Sequence, residues 1–211
     1  EPSRPLHPPR SSRPRRDAAG WRLFIAAIPP SEVRQRLVDA AAAVGDPTLR
    51  VMDPSVVHLT LLFIGEVAPG SVAGILETME RAAAGLPGFD LAPGAIAPLP
   101  DSGRPRLVAA VADCPPPLAE LQRRLAARLA SPRDRRRPYR PHLTVGRWSA
   151  ASAPRPAPPM PPLPAGCGFG VREIALVRSR LRPEGATHEV IATVGLRAGP
   201  EPSPPSHRPP R

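Results

Sequence analysis

The sequence predicts an α+β fold: two similar lobes of mainly antiparallel strands around a central cleft, with the helices outside. Three observations carry this. The word His58-Leu59-Thr60-Leu61 returns as His142-Leu143-Thr144-Val145, each time inside an apolar run of strand length. Each half of the chain also holds a helical segment opened by prolines, at Pro29-Pro30 and at Pro115-Pro116-Pro117. The remaining apolar runs are short and bounded by Gly, Pro and Asp, as in strands joined by turns.

The elements follow in order. Trp21–Ile28 is a first strand. A helix starts at Ser31, a residue suited to an N-cap, and runs to Val44 with Val33, Leu37, Ala40, Ala41 and Val44 at helical spacing. After a turn at Gly45-Asp46-Pro47, Val56–Ile64 forms the strand of the first His-x-Thr word. A second helix covers 71–84, and short strands follow at Phe89–Leu91 and Ala95–Leu99. The loop 101–105 leads into a buried strand, Arg106–Ala112. A third helix, Leu118–Leu129, puts Leu118, Leu121, Leu125 and Leu129 on one face. The basic turn Arg133–Arg140 delivers the second motif strand, His142–Trp148, and a Pro-rich surface loop spans 150–166. Val171–Leu181 and His188–Leu196 close the fold around a turn at Pro183-Glu184-Gly185.

Composition narrows the class. The chain has 211 residues and is 41% hydrophobic, enough for a core. Aromatics are only 3%, so that core is built from Ala, Leu, Val and Ile. Residues 1–20 and 199–211 are rich in Pro, Arg and Ser without hydrophobic period, and are expected to be disordered tails around one folded domain, 21–198. The formal charge is +11, of which the tails carry +3 and +1, leaving +7 on the folded part. Such a surface attracts phosphates and nucleic acid. All 29 basic residues are arginine in an Ala- and Pro-rich chain, the bias of a GC-rich genome, so charge alone is a modest pointer. Cys114 and Cys167 make no disulfide framework. No apolar run approaches the roughly 20 residues of a membrane span. Trp21–Ile28 follows basic residues as a signal peptide does, but it is short and runs into Pro29-Pro30. A cytoplasmic monomer is expected.

The doubled word carries the chemistry. On a strand, His and Thr two apart share a face, while Leu59, Leu61, Leu143 and Val145 point into the core. A lone strand histidine is more often structural than catalytic. Of the three histidines outside the tails, however, two share one context. Two imidazoles in one site can give and take protons near neutral pH. Zinc spacings, Gly-rich phosphate loops and nucleophile elbows are absent, so no metal or cofactor is implied. Hydroxyls and imidazoles suit a phosphate ester: Thr60 and Thr144 to hold its oxygens, His58 and His142 to move protons. Arg147 is a candidate cation for the phosphate. Strict alternation would put it on the face away from His142, and a bulge at Gly146 is needed to bring it round. Tyr139 stacks a base in one reading and packs on its lobe in the other.

These residues resemble the 2H phosphoesterases, and most closely the bacterial RNA 2′,3′-cyclic phosphodiesterases, historically called 2′-5′ RNA ligases. The resemblance runs through Arg22–Ala26, His58–Glu66, Arg104–Arg106, Arg137–Arg147 and Ser179–Gly185. It implies metal-free hydrolysis of a 2′,3′-cyclic phosphate RNA end to a 2′-phosphate, with His58 as proton donor and His142 as proton acceptor. The family often has Lys where this chain has Leu62, and an aromatic where it has His188. Two other readings compete: a non-catalytic RNA- or nucleotide-binding module, and RNA end-joining in the same site.

Overall fold

The computed structural model describes residues 20–131, 135, 138–154, 156–182 and 185–198. The two expected tails, parts of the basic turn 133–140 and the turn residues 183–184 lie outside them. In chain order the elements are β1 (Trp21–Ala27), α1 (Ser31–Ala42), β2 (Arg50–Val51), β3 (Leu59–Val67), α2 (Val72–Ala83), β4 (Phe89–Leu91), β5 (Pro93–Leu99) and β6 (Leu107–Ala112). There follow α3 (Pro116–Leu129), β7 (His142–Arg147), β8 (Phe169–Val171), β9 (Glu173–Arg182) and β10 (Gly185–Gly195). The α+β class and the antiparallel pairing expected from the sequence are observed, together with two very short strands, β2 and β8, which periodicity is too brief to reveal.

The two lobes are halves of one sheet. Its order is β10-β9-β1-β3-β7-β6-β5, with β2 on β7, and a separate ribbon pairs β4 with β8. The motif strands β3 and β7 are neighbours at the middle, joined by a single pairing, Leu59 with Leu143. On either side the ladders are long: seven pairs link β1 to β3, and five link β6 to β7.

Burial follows the pattern of each element. Leu59, Leu61, Leu143 and Val145 are buried, as alternation from the two His-x-Thr words requires. Helix α1 buries Val33, Leu37, Val38, Ala40 and Ala41, and α3 buries Leu118, Leu121 and Leu125. The helices exchange sides: α1, which follows β1, packs on β2 and β7, whereas α3, which precedes β7, packs on β3 and α2. One apolar cluster therefore runs under both halves of the sheet, behind the motif strands.

The seam at Leu59 and Leu143 predicts its own sensitivity. Both side chains are wholly buried. Leu143→Ala should lower unfolding stability by about 2–5 kcal/mol, since it removes core contacts and leaves a cavity. Urea denaturation followed by circular dichroism measures it, and a loss under about 1 kcal/mol would contradict a seam that depends on this pair.

Candidate active site

The register at the seam assembles the site. Pairing Leu59 with Leu143 in antiparallel sense brings His58 abreast of Thr144 and Thr60 abreast of His142. All four side chains line one cleft of about 1260 Å³.

Both rings are oriented in the same way. His58 Nδ1 lies 2.8 Å from the carbonyl oxygen of Val56, and His142 Nδ1 lies 2.8 Å from that of Arg140. A carbonyl only accepts, so each ring donates from Nδ1 and leaves Nε2 for other partners. His58 Nε2 sits 3.0 Å from Thr60 Oγ1; in the neutral ring it accepts the hydroxyl proton. The segments that carry the two carbonyls are themselves tied down. Val56 closes a 3₁₀ turn capped by Asp53, whose carboxylate accepts from Ser55 N at 2.7 Å. The Arg140 guanidinium is paired with Asp101.

Bulges bring two further residues onto the catalytic face. In β7 the register slips between the Val108–Gly146 and Ala109–Thr144 pairings, and Val145 and Gly146 are both buried. Arg147 therefore returns to the His142 side and lines the cleft, as the sequence allowed only through a bulge at Gly146. A Cβ at Gly146 would stand 2.9 Å from Leu49 Cδ1, so a larger residue there would have to displace the Leu49 side chain. In β3 the register slips between the Ala26–Thr60 and Ile25–Leu62 pairings, with Leu61 and Leu62 both buried. Phe63 then emerges into the cleft, 59% exposed. The residue five positions after each histidine thus enters the cleft, an aromatic ring from one half and a guanidinium from the other.

Tyr139 is placed differently from a base-stacking residue. It is not among the residues lining the cleft; it packs against the core, and its hydroxyl donates to the carbonyl of Thr60 at 3.0 Å. Burial pushes its phenol well above the usual range, so it stays a neutral donor. Its contribution is to hold the main chain of β3 at Thr60.

Burial drives the His58 pKa down to about 4, against a smaller opposing effect of the Val56 hydrogen bond, and the cationic groups His188, Arg147 and His142 push the same way as burial. Burial also lowers His188 and Arg147; the Arg147 guanidinium is partly desolvated by the cleft walls although it reaches solvent at the rim, and it remains a cation. Among the described residues, no group of three or more His, Cys, Asp or Glu side chains is arranged to hold a metal ion. Cys114 is exposed and Cys167 buried, both as free thiols.

A family model described as 2′-5′ RNA ligase superfamily matches residues 29–182. The chain belongs to this superfamily. A Thermus thermophilus member named RNA 2′,3′-cyclic phosphodiesterase is 33% identical over 184 residues, covering 83% of this chain and 90% of that protein. A Geobacillus stearothermophilus protein of the same name is 32% identical over 148 residues, which is 68% of this chain and 46% of the relative. Among solved structures, TT0787 of T. thermophilus superposes with a TM-score of 0.67 at 31% identity, covering 84% of this chain and 98% of that one. E. coli LigT complexed with 3′-AMP gives 0.69 at 25% identity with the same coverages.

The doubled His-x-Thr word is legible in the sequence, and the cleft contains both copies. Phe24, Phe63, Arg22 and Arg50 also line the cleft and were not among the sequence candidates. Phe24 reads as core because it sits mid-run in a buried strand, and Phe63 reads as core by alternation. His188, noted in the sequence only as a departure, stands in the cleft beside His58.

Two outcomes follow. Tyr139→Phe should cost about 0.5–1.5 kcal/mol of stability by orphaning a half-buried carbonyl, while RNA affinity falls no more than stability loss explains; a large selective loss of affinity in a filter-binding assay would restore the stacking role. Between about pH 6.5 and pH 4 the unfolded chain binds a proton at residue 58 that the folded chain refuses. Folding stability should therefore fall on acidification through that window, and less steeply in His58→Asn. Urea midpoints at pH 7 and pH 5 for the two proteins measure it, and parallel slopes would contradict the burial of a neutral ring.

Proposed function

We propose that the protein is a metal-independent hydrolase of RNA 2′,3′-cyclic phosphate ends, releasing a 2′-phosphate. The observation that carries this reading is one cleft lined by both His/Thr pairs, with each ring anchored at Nδ1 by the main chain. The names of the T. thermophilus and G. stearothermophilus relatives support the substrate class, and the E. coli LigT complex with 3′-AMP supports a nucleoside monophosphate as occupant.

In this reading the phosphate sits between the two histidines. Thr60 and Thr144 donate to its non-bridging oxygens, and Arg147 offsets the charge that grows on them. His142 Nε2 takes a proton from the attacking water. The new P–O bond forms as the bond to the ribose 3′ oxygen breaks. His58 Nε2–H supplies that oxygen with its proton, leaving a 3′-hydroxyl and a 2′-phosphate. Each proton transfer contributes about 10² to 10⁴ in rate. The histidines flank the Leu59–Leu143 seam from opposite sides, which suits an in-line displacement with one ring on the entering oxygen and the other on the leaving one. Arg22, Arg50 and Arg147 line the cleft and suit a polyanion, so RNA affinity should weaken with salt. End-joining is the reverse reaction in the same site, and water at bulk concentration favours hydrolysis. Among the described residues no helix is long and apolar enough to cross a membrane, and we take the protein as a cytoplasmic monomer.

An oligonucleotide ending in a 2′,3′-cyclic phosphate tests the reading. His58→Ala and His142→Ala should each lose at least about 10²-fold in kcat with the fold retained by circular dichroism, while EDTA leaves the wild-type rate as it was. The proton roles separate on an aryl phosphodiester whose good leaving group needs no acid: His58→Ala should recover there and His142→Ala should not. Full turnover in either alanine variant would end the proposal, and tight binding without turnover by the wild type would favour a binding module.

A further inference from the structure

Three imidazoles line the cleft, and the reaction above uses two. The third, His188 on β10, lies with its ring centroid 5.0 Å from that of His58, edge-on at 75°. Phe24 completes the cluster, 4.6 Å from His58 at 30° and 5.0 Å from His188 at 68°. The His58 ring is thus gripped by two rings, by the Val56 carbonyl at Nδ1 and by the Thr60 hydroxyl at Nε2. Among the described residues no hydrogen bond engages the His188 imidazole, and the side chain lines the cleft.

The charges around this cluster are one-sided. Facing it are Arg22 from β1, Arg50 from β2, His142 and Arg147 from β7, and His188 itself from β10; β9 contributes the uncharged Ser179, opposite His188, and Leu181. Arg34 of α1 borders a smaller cavity of about 240 Å³ behind His58 and His188. The carboxylate in the lining is Asp53, whose Oδ1 accepts from Ser55 N and caps the 3₁₀ turn before His58. Among the described residues, no carboxylate is hydrogen-bonded to His58, and the charges that act on it come from His188, Arg147 and His142.

We propose that His188 is a positioning residue that makes protonation of His58 conditional on a bound phosphate. The inference rests on His58 being the proton donor of the reaction proposed above. In the empty cleft the Thr60 hydroxyl fills the lone pair of His58 Nε2. A proton entering the cluster goes to His188, the less deeply buried ring, and its charge at 5.0 Å opposes a second proton on His58. A phosphate draws the Thr60 hydroxyl to one of its own oxygens and supplies a negative charge. Nε2 is then free to take a proton and aim it at the leaving oxygen. The ring contacts with His188 and Phe24 keep Nε2 in register while this happens.

The test is an NMR titration of the imidazole Cε1 protons in the full chain, with inorganic phosphate as the probe and His58→Asn to assign the signal. In the wild type, saturating phosphate should raise the His58 midpoint by about 1–3 pH units. His188→Phe should raise it by about one unit before any phosphate is added, and shrink the further effect of phosphate. A His58 midpoint that His188→Phe leaves in place overturns the proposal. The ring contact is tested by turnover at the pH plateau: His188→Ala should lose about tenfold in kcat, and His188→Phe should recover most of it. Equal kcat in the two variants overturns the positioning role. His188→Gln, which cannot take the proton, gives the charge effect should the alanine variant unfold. Because the titration needs no turnover, its failure in a protein that hydrolyses cyclic phosphate counts against this inference alone. The expected shifts in a protein without that activity count against the hydrolase reading alone.

Discussion

The site depends on one contact, the pairing of Leu59 with Leu143 across the middle of the sheet. It is the single rung between the two motif strands, and both side chains are wholly buried. Everything chemical is counted from it. One residue before and after each leucine stand His58, Thr60, His142 and Thr144, and just beyond each threonine a register slip turns the strand. The apolar cluster beneath this rung joins both halves of the sheet, so the hydrophobic contribution to folding is also what holds the two histidines in one cleft.

Pseudo-symmetry explains the frame, and it is broken in what surrounds the two rings. The paired words, the Nδ1–carbonyl anchors and the bulges are equivalent in both halves. The surroundings are not. His58 lies among Phe24 and His188 and loses solvent, whereas His142 faces the half that supplies Arg147. Burial beside Phe24 and His188 lowers the proton affinity of His58 below that of a free imidazole.

Much of this is readable in the amino-acid sequence. The His-x-Thr words are legible because repetition is improbable without a shared use, and the core faces of β3 and β7 because a strand alternates with period two. Arg147 shows the limit. Alternation sends it the wrong way, and only the slip at Val145–Gly146 returns it to the cleft. Phe63 is hidden by the equivalent slip in β3. Tyr139 misleads in the opposite direction, since an aromatic beside a basic turn suggests nucleic acid while its hydroxyl is needed inside. The exchange of α1 and α3 between the halves leaves no trace in the amphipathic pattern of either helix, because that pattern says which face is buried and not against what.

The main-chain anchoring of the rings has a broader meaning. A histidine oriented by an aspartate depends on a second side chain that substitution can remove. Here each ring is steered by a carbonyl two residues upstream in its own segment, which every amino acid provides. The orienting half of the machinery is thus encoded in backbone shape alone. Residues 56 and 140 differ, Val in one half and Arg in the other, while the carbonyl each supplies is the same.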